Sequence, residues 1–183
     1  MYYIRLSWDD IYHDCKIIAR ELRKKKVNTD IIIGIARGGL VPARILSDLL
    51  DNDELHTVRV KFYESVGKTA KEPKILHATQ FSISGKKVLL VDDIADTGKS
   101  LRATFNHLKE RNASEIFVVT LVKKPHSIFN PDLYVRETSA WVIFPWEVYE
   151  TIRELIKQGK SEEEIINAGI KREELEEVKK EIY

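Results

Sequence analysis

Cysteine is almost missing from this chain: Cys15 stands alone among 183 residues, so no internal disulfide can form and a reducing compartment is expected. No run of eighteen apolar residues occurs, which excludes a membrane-spanning helix, and Met1 to Asp10 lacks the basic region and apolar core of a secretory signal. A cytoplasmic protein, with no membrane partner, is the expectation. Charge of one sign is lacking too, since 30 Lys and Arg stand against 29 Asp and Glu. The formal net charge of +1 gives no electrostatic case for a nucleic-acid backbone as the main partner. Internal repeats and low-complexity linkers are absent. The five histidines, His13, His56, His77, His107 and His126, show no metal-ligand spacing and read as ordinary surface or core residues.

What is there suits one domain with a sizeable core and a small appendage, at 43% hydrophobic and 32% charged residues. Ser7 and Asp10 form a capping-box pattern, and Ile11, Cys15, Ile18 and Leu22 continue it as an amphipathic helix to about Lys25, with Cys15 in the core stripe. Asp30 to Ala36 reads as a buried strand and Gly38-Gly39 leads into a helix. Thr57 to Phe62 alternates as a strand, Tyr63 to Lys74 is polar and aperiodic and reads as a mobile loop, and a short β segment follows around Ile75 to Phe81. Ser114 to Val122 is another buried strand. This alternation predicts an α/β fold, doubly wound around a mainly parallel sheet. From Glu150 the apolar faces narrow, and Ser161 with Glu164 marks a capping box. The expected division is a domain over 1–149 and a helical C-terminal extension over 150–183.

One stretch carries more chemistry than any other. Val88-Leu89-Leu90-Val91 is a buried strand that runs into Asp92-Asp93-Ile94-Ala95-Asp96-Thr97-Gly98-Lys99-Ser100, and helical spacing resumes at Leu101. Adjacent carboxylates at the carboxyl end of such a strand suit the vicinal hydroxyls of a ribose or a metal bound to them. Unpaired backbone N–H groups of Asp96 to Ser100 suit a phosphate. On a second strand, Ala36-Arg37-Gly38-Gly39 brings backbone amides and a guanidinium to the same kind of edge, where a pyrophosphate would sit.

The thirteen-residue stretch resembles the phosphoribosyl pyrophosphate (PRPP) signature of type I phosphoribosyltransferases, and Ala36 to Gly39 resembles that family's pyrophosphate loop, in which the peptide before the arginine is often cis. The resemblance implies the family's fold, with a small hood. It implies that Asp92 and Asp93 hold the ribose hydroxyls, directly or through Mg²⁺ as cofactor, that Ala95, Asp96, Thr97, Gly98, Lys99 and Ser100 hold the 5′-phosphate, and that Ala36, Arg37, Gly38 and Gly39 hold pyrophosphate. The catalytic pair would be Arg37, on the leaving group, and Asp96, taking or sharing the purine N7 proton.

Lys123-Lys124-Pro125 and Trp141-Val142-Ile143-Phe144-Pro145-Trp146-Glu147 resemble the base-reading segments of 6-oxopurine phosphoribosyltransferases, the latter most of all the xanthine-guanine branch. By that resemblance Lys124 donates to the purine O6, Trp141 stacks on the ring and main-chain groups at Val142 read position 2. A lysine donor suits a carbonyl at C6 and opposes adenine's amino group. Strand register decides whether Lys123 or Lys124 points inward. The implied partners are PRPP and a purine base, and the implied reaction is purine salvage at N9 under a lid made by Tyr63 to Lys74. A homodimer or homotetramer is expected. Two alternatives stay open: another acceptor base, adenine or orotate, and a non-catalytic PRPP or nucleotide sensor of the same fold.

Overall fold

The computed structural model describes residues 2–64, 71–77 and 82–182. In chain order the elements are β1 (Tyr3–Arg5), α1 (Trp8–Lys24), β2 (Ile31–Ala36), α2 (Leu40–Leu50), β3 (Leu55–Glu64), β4 (Lys71–His77), β5 (Lys87–Ala95), α3 (Lys99–Glu110), β6 (Glu115–Lys123), β7 (Leu133–Glu137), β8 (Trp141–Ile143), α4 (Val148–Lys157), α5 (Glu162–Asn167) and α6 (Arg172–Ile182). They divide into two compact units: a continuous one, Tyr12–Thr138, and a discontinuous one made of Met1–Ile11 and Ser139–Tyr183.

The continuous unit is built on a six-stranded sheet of order β4-β3-β2-β5-β6-β7. Every neighbouring pair is parallel except β3 with β4. The parallel strands read as unbroken apolar runs because both faces are covered. On one face Ile31, Ile33, Ile35, Val88, Leu90 and Val118 pack with Leu101, Phe105 and Leu108 of α3. On the other, Gly34 of β2 makes room for α2, since a Cβ there would lie 2.9 Å from that of Ala43.

Helix α1 begins as its capping box predicts: the Ser7 N–H donates to Asp10 Oδ2 at 2.9 Å and the Asp10 N–H to Ser7 Oγ at 3.1 Å. Cys15 is buried, and burial followed by the charge of Asp14 pushes its thiol up to about 12, which suits a packing role. Buried Asp14 accepts from Arg136 of β7 at 2.6 and 3.0 Å, tying α1 to that edge strand.

Three strands were not foreseen. β1 and β8 have three residues each, too few for any period to register, and β7 has four half-buried residues followed by exposed Glu137, with no buried position. Tyr63–Glu64 and Lys71–Lys74, expected in a mobile loop, belong instead to the antiparallel β3–β4 pair, where Tyr63 partners Glu72 and Glu64 partners Lys71. Residues 65–70, the middle of the expected lid, and 78–81 of the expected β segment lie outside the described residues.

In the discontinuous unit β1 and β8 form a two-stranded parallel sheet, with Tyr3 opposite Trp141 and Ile4 opposite Val142. The helices from residue 150 onward share one core with Ile143: Ile152, Leu155, Ile165, Ala168, Ile170, Leu175 and Val178 are all buried in it. Ser161 and Glu164 close the capping box of α5. Arg5 of β1 makes a bidentate pair with Glu174 of α6 at 2.7 and 2.5 Å, and also donates to the carbonyl of Gly169 at 2.9 Å. Among the described residues no helix is long and apolar enough to cross a membrane.

Candidate active site

The strand order reverses between β2 and β5, because the chain leaves β2 toward β3 on one side and β5 toward β6 on the other. Open α/β sheets bind ligands at such a point. The pairing shows the opening directly: β2 and β5 are bonded only as far as Gly34 opposite Val91, while β5 and β6 run on to Ala95 opposite Lys123. Asp92 and Asp93 therefore lie inside β5, not beyond its end, but on the β2 side their backbone has no strand partner.

Both carboxylates are buried. The Asp93 N–H donates to Asp92 Oδ1 at 3.1 Å and the Ile94 N–H to Asp93 Oδ1 at 2.8 Å. Burial first, and the neighbouring charge of Asp93 second, push the Asp92 carboxyl well above the ordinary carboxylate value. A cation or hydroxyl donors at this pair would reverse that pressure. Two adjacent carboxylates fit Mg²⁺, which keeps several waters and takes its remaining ligands from substrate phosphates. Among the described residues no group of three or more His, Cys, Asp or Glu is placed to hold a metal.

The turn from β2 to α2 faces this pair. The Ala36–Arg37 peptide is cis, as the resemblance implies, and Arg37 is exposed. Both glycines are required by contact. A Cβ on Gly38 would fall 1.9 Å from Asp93 Oδ2, and one on Gly39 would fall 2.5 Å from the Val91 carbonyl oxygen. The Gly39 amide donates to the carbonyl of Ile35 at 2.9 Å, so it helps to fold the turn.

Ala95, the last residue of β5, is buried; in the turn to α3, Asp96 and Thr97 are exposed and Gly98 takes the left-handed conformation at φ 76°. A Cβ on Gly98 would lie 2.6 Å from both the Phe129 nitrogen and Ser127 Oγ, so the β6–β7 loop rests directly on this turn. Two backbone bonds fasten it: Lys124 N–H to the Ala95 carbonyl at 3.0 Å and Ile128 N–H to the Thr97 carbonyl at 3.1 Å. Within the turn the Lys99 N–H reaches Thr97 Oγ1 at 3.4 Å, and Lys99 and Ser100 open α3 half-buried.

The two lysines part company as strand alternation requires. Lys123 Nζ pairs with Glu137 Oε2 of β7 at 3.2 Å and lies over the Tyr134 ring. Lys124 is buried; burial lowers its pKa and the charge of Asp96 partly restores it. His126, which the sequence offered no reason to single out, places Nε2 3.2 Å from Asp96 Oδ1. Thirty residues separate the two, so no spacing pattern could have joined them.

Trp141 and Val142 belong to the discontinuous unit. Trp141 is half exposed at the start of β8, with its N–H donating to the Tyr2 carbonyl at 2.8 Å, and Val142 is buried. In the same unit the Phe144 and Trp146 rings stack at 4.8 Å.

Known proteins are similar to this chain in sequence and in fold. Xanthine-guanine phosphoribosyltransferases of Gluconobacter oxydans and Cereibacter sphaeroides are 31% identical over 149 residues and 32% identical over 150. These matches cover 80% and 78% of this chain and 86% of each relative. A crystal structure of a purine phosphoribosyltransferase from Pyrococcus horikoshii Ot3 superposes with a TM-score of 0.72 at 38% identity, covering 80% of this chain and 94% of that one. The family profile described as "Phosphoribosyl transferase domain" matches residues 7–153, a span that takes in both turns of the crevice, both lysines and Trp141. On that match, and on the signature turn that led to it, this chain belongs to the type I phosphoribosyltransferase family.

Proposed function

We propose that this protein transfers the 5-phosphoribosyl group of PRPP to N9 of a 6-oxopurine, forming a nucleoside 5′-monophosphate and pyrophosphate in purine salvage. The observation that carries the reading is the approach of Gly38 to Asp93, which sets the β2–α2 turn and the carboxylate pair on one crevice. A sugar with phosphate at one end and pyrophosphate at the other needs both. The relatives named xanthine-guanine phosphoribosyltransferase support the choice of base.

In this reading Asp92 and Asp93 hold the ribose hydroxyls, and Ala95 to Ser100 hold the 5′-phosphate at the start of α3. Ala36 to Gly39 hold pyrophosphate, whose growing charge Arg37 stabilises as C1 becomes oxocarbenium-like. Asp92 and Asp93 would hold Mg²⁺ through water or the ribose hydroxyls, and the ion would supply further charge neutralisation to the leaving group. Lys124 donates to the purine O6, Trp141 stacks on the ring and main-chain groups at Val142 read position 2. Asp96 accepts the N7 proton as N9 attacks. The catalytic domain is 1–149 and the extension 150–183. Sugar phosphates do not cross membranes unaided, so the setting is the cytoplasm, and the assembly is a homodimer or homotetramer.

The test is to mix the protein with PRPP and Mg²⁺ and, in turn, guanine, hypoxanthine, xanthine, adenine and orotate, measuring nucleotide and pyrophosphate. Product with the 6-oxopurines and little with adenine or orotate is the expected result. PRPP binding without product from any base would make the protein a sensor and overturn the assignment.

A further inference from the structure

A strand of three residues cannot hold its own place, and β8, which begins with Trp141, is one. Among the described residues its only strand partner is β1, of equal length, and an isolated two-stranded sheet is marginal in water. Two backbone bonds extend the ladder, from the Trp141 N–H to the Tyr2 carbonyl at 2.8 Å and from the Leu6 N–H to the Ile143 carbonyl at 3.0 Å. These tie the two strands to each other. What fixes the pair in the molecule is the material that covers it.

One face is covered by the helices that follow residue 150. Tyr3 stands opposite Trp141 and Arg5 opposite Ile143, and in a parallel pair residues in register, like residues two apart, lie on one face. Ile143 is fully buried in the core shared by α4, α5 and α6, and Tyr3 packs against that core. Arg5 is clamped to the same helices. Its guanidinium donates to both carboxylate oxygens of Glu174 at 2.7 and 2.5 Å and to the Gly169 carbonyl at 2.9 Å, while a Cβ on Gly169 would lie 3.4 Å from the Arg5 Cβ. The Glu174 carboxylate also accepts from the Lys171 N–H at 2.9 Å, so the clamp closes on the first turn of α6. Trp141 is the fourth residue of this face and the only exposed one, at 49%. Its strand is held while its ring stays open to a ligand.

We propose that the C-terminal extension belongs to the acceptor-base site, with Arg5 and Glu174 as positioning residues that fix β1 and, through the register of β1 with β8, orient Trp141. The inference rests on the reading of Trp141 as the ring that stacks on the purine, and gives residues 150–183 a part in that binding. Dispersion between stacked rings falls away within about an ångström of extra separation, so a ring held in place binds better than one that must be ordered by its ligand. None of the groups assigned to PRPP lies on β1, β8 or the extension. Loosening the clamp therefore acts on the base and spares the phosphorylated sugar.

The experiment is steady-state kinetics with PRPP, Mg²⁺ and guanine, at a temperature where thermal melts show every variant folded, for the protein, Arg5→Met, Trp141→Ala and the double variant. Methionine keeps an apolar stem and removes the guanidinium fork. Arg5→Met is expected to raise KM for guanine about fivefold with KM for PRPP unchanged within about twofold. In the Trp141→Ala background the same substitution should add less than about twofold, because the ring it orients is gone. An unchanged KM for guanine in Arg5→Met would overturn the proposal, as would equal rises in both KM values or a full rise that persists beside Trp141→Ala. Should Arg5→Met not fold, Glu174→Gln, which leaves Arg5 one acceptor oxygen, is read by the same criteria with an expected rise of about threefold. Trp141→Ala alone tests the underlying reading: an unchanged KM for guanine there would overturn the stacking role of Trp141, whatever Arg5→Met does.

Discussion

Gly38 and Asp93 are in contact across the β2–β5 opening, so closely that a single added methyl would occupy the place of the carboxylate: its carbon would lie 1.9 Å from Oδ2 and 2.3 Å from Cγ. Asp93 has one short side chain inside a strand and cannot retreat as a flexible lysine would. Gly38→Ala should therefore turn the carboxylate out of the crevice. The expected result is PRPP binding weakened at least about tenfold, or about 1.4 kcal/mol, with the folded state retained. Calorimetric titration with PRPP and Mg²⁺, beside a thermal melt, checks both halves.

The neighbouring lysines give a matched pair. Lys123 is paired with Glu137 at the edge of the sheet, whereas Lys124 is buried and feels the charge of Asp96. Lys123→Met should cost about 0.5 kcal/mol of stability or less, the usual worth of a peripheral ion pair, and leave kinetics alone. Lys124→Met should raise KM for a 6-oxopurine tenfold or more, since a donor to O6 is lost without replacement. Steady-state kinetics in which the two variants behaved alike would refute this division.

Trp141 is large, half exposed and on the first residue of β8. If it stacks on the acceptor, Trp141→Ala should raise KM for the base by about tenfold while that for PRPP changes little. Equal effects on both substrates would reduce Trp141 to a structural part of the β1–β8 pair.

The Arg5–Glu174 pair predicts a pH dependence of stability. Its hydrogen bonds to Arg5 hold the Glu174 carboxyl below the ordinary glutamate value of 4.5. The group is more acidic folded than unfolded, so its contribution is present above that value and is lost as pH falls through the folded pKa. Glu174→Gln should be less stable by about 1–2 kcal/mol at pH 7, and the gap to the unaltered protein should close at acid pH. Urea melts at pH 7 and pH 3 test the sign, and a gap that widens on acidification would refute it.

These predictions rest unevenly on what a reader of the sequence could see. Val88 to Ser100 declared a strand, a carboxylate pair and a helix start because each part is local. The β2 run Ile31-Ile32-Ile33-Gly34-Ile35 was equally plain, since a buried parallel strand needs no partner to be recognised. What stayed hidden depended on distance along the chain. Nothing within a window around His126 points to Asp96, and nothing near Arg5 points to Glu174. The choice between Lys123 and Lys124 needed strand register, which β7 supplies, and β7 itself was missed because its five residues are all only half-buried or exposed. The glycine reading succeeded in kind but not in detail. Close approach was foreseen at Gly38 and Gly39, yet the thing approached was Asp93 and the Val91 carbonyl, on another strand.

The pairing of Tyr3–Arg5 with Trp141–Ile143 has a bearing on how the molecule is made. During synthesis β1 emerges before any strand of the six-stranded sheet but finds its hydrogen-bonding partner only after residue 143 has emerged, whereas every strand of that sheet lies between Ile31 and Glu137. Synthesis thus favours an order in which the crevice between β2 and β5 is assembled first and the β1–β8 pair is stitched together last.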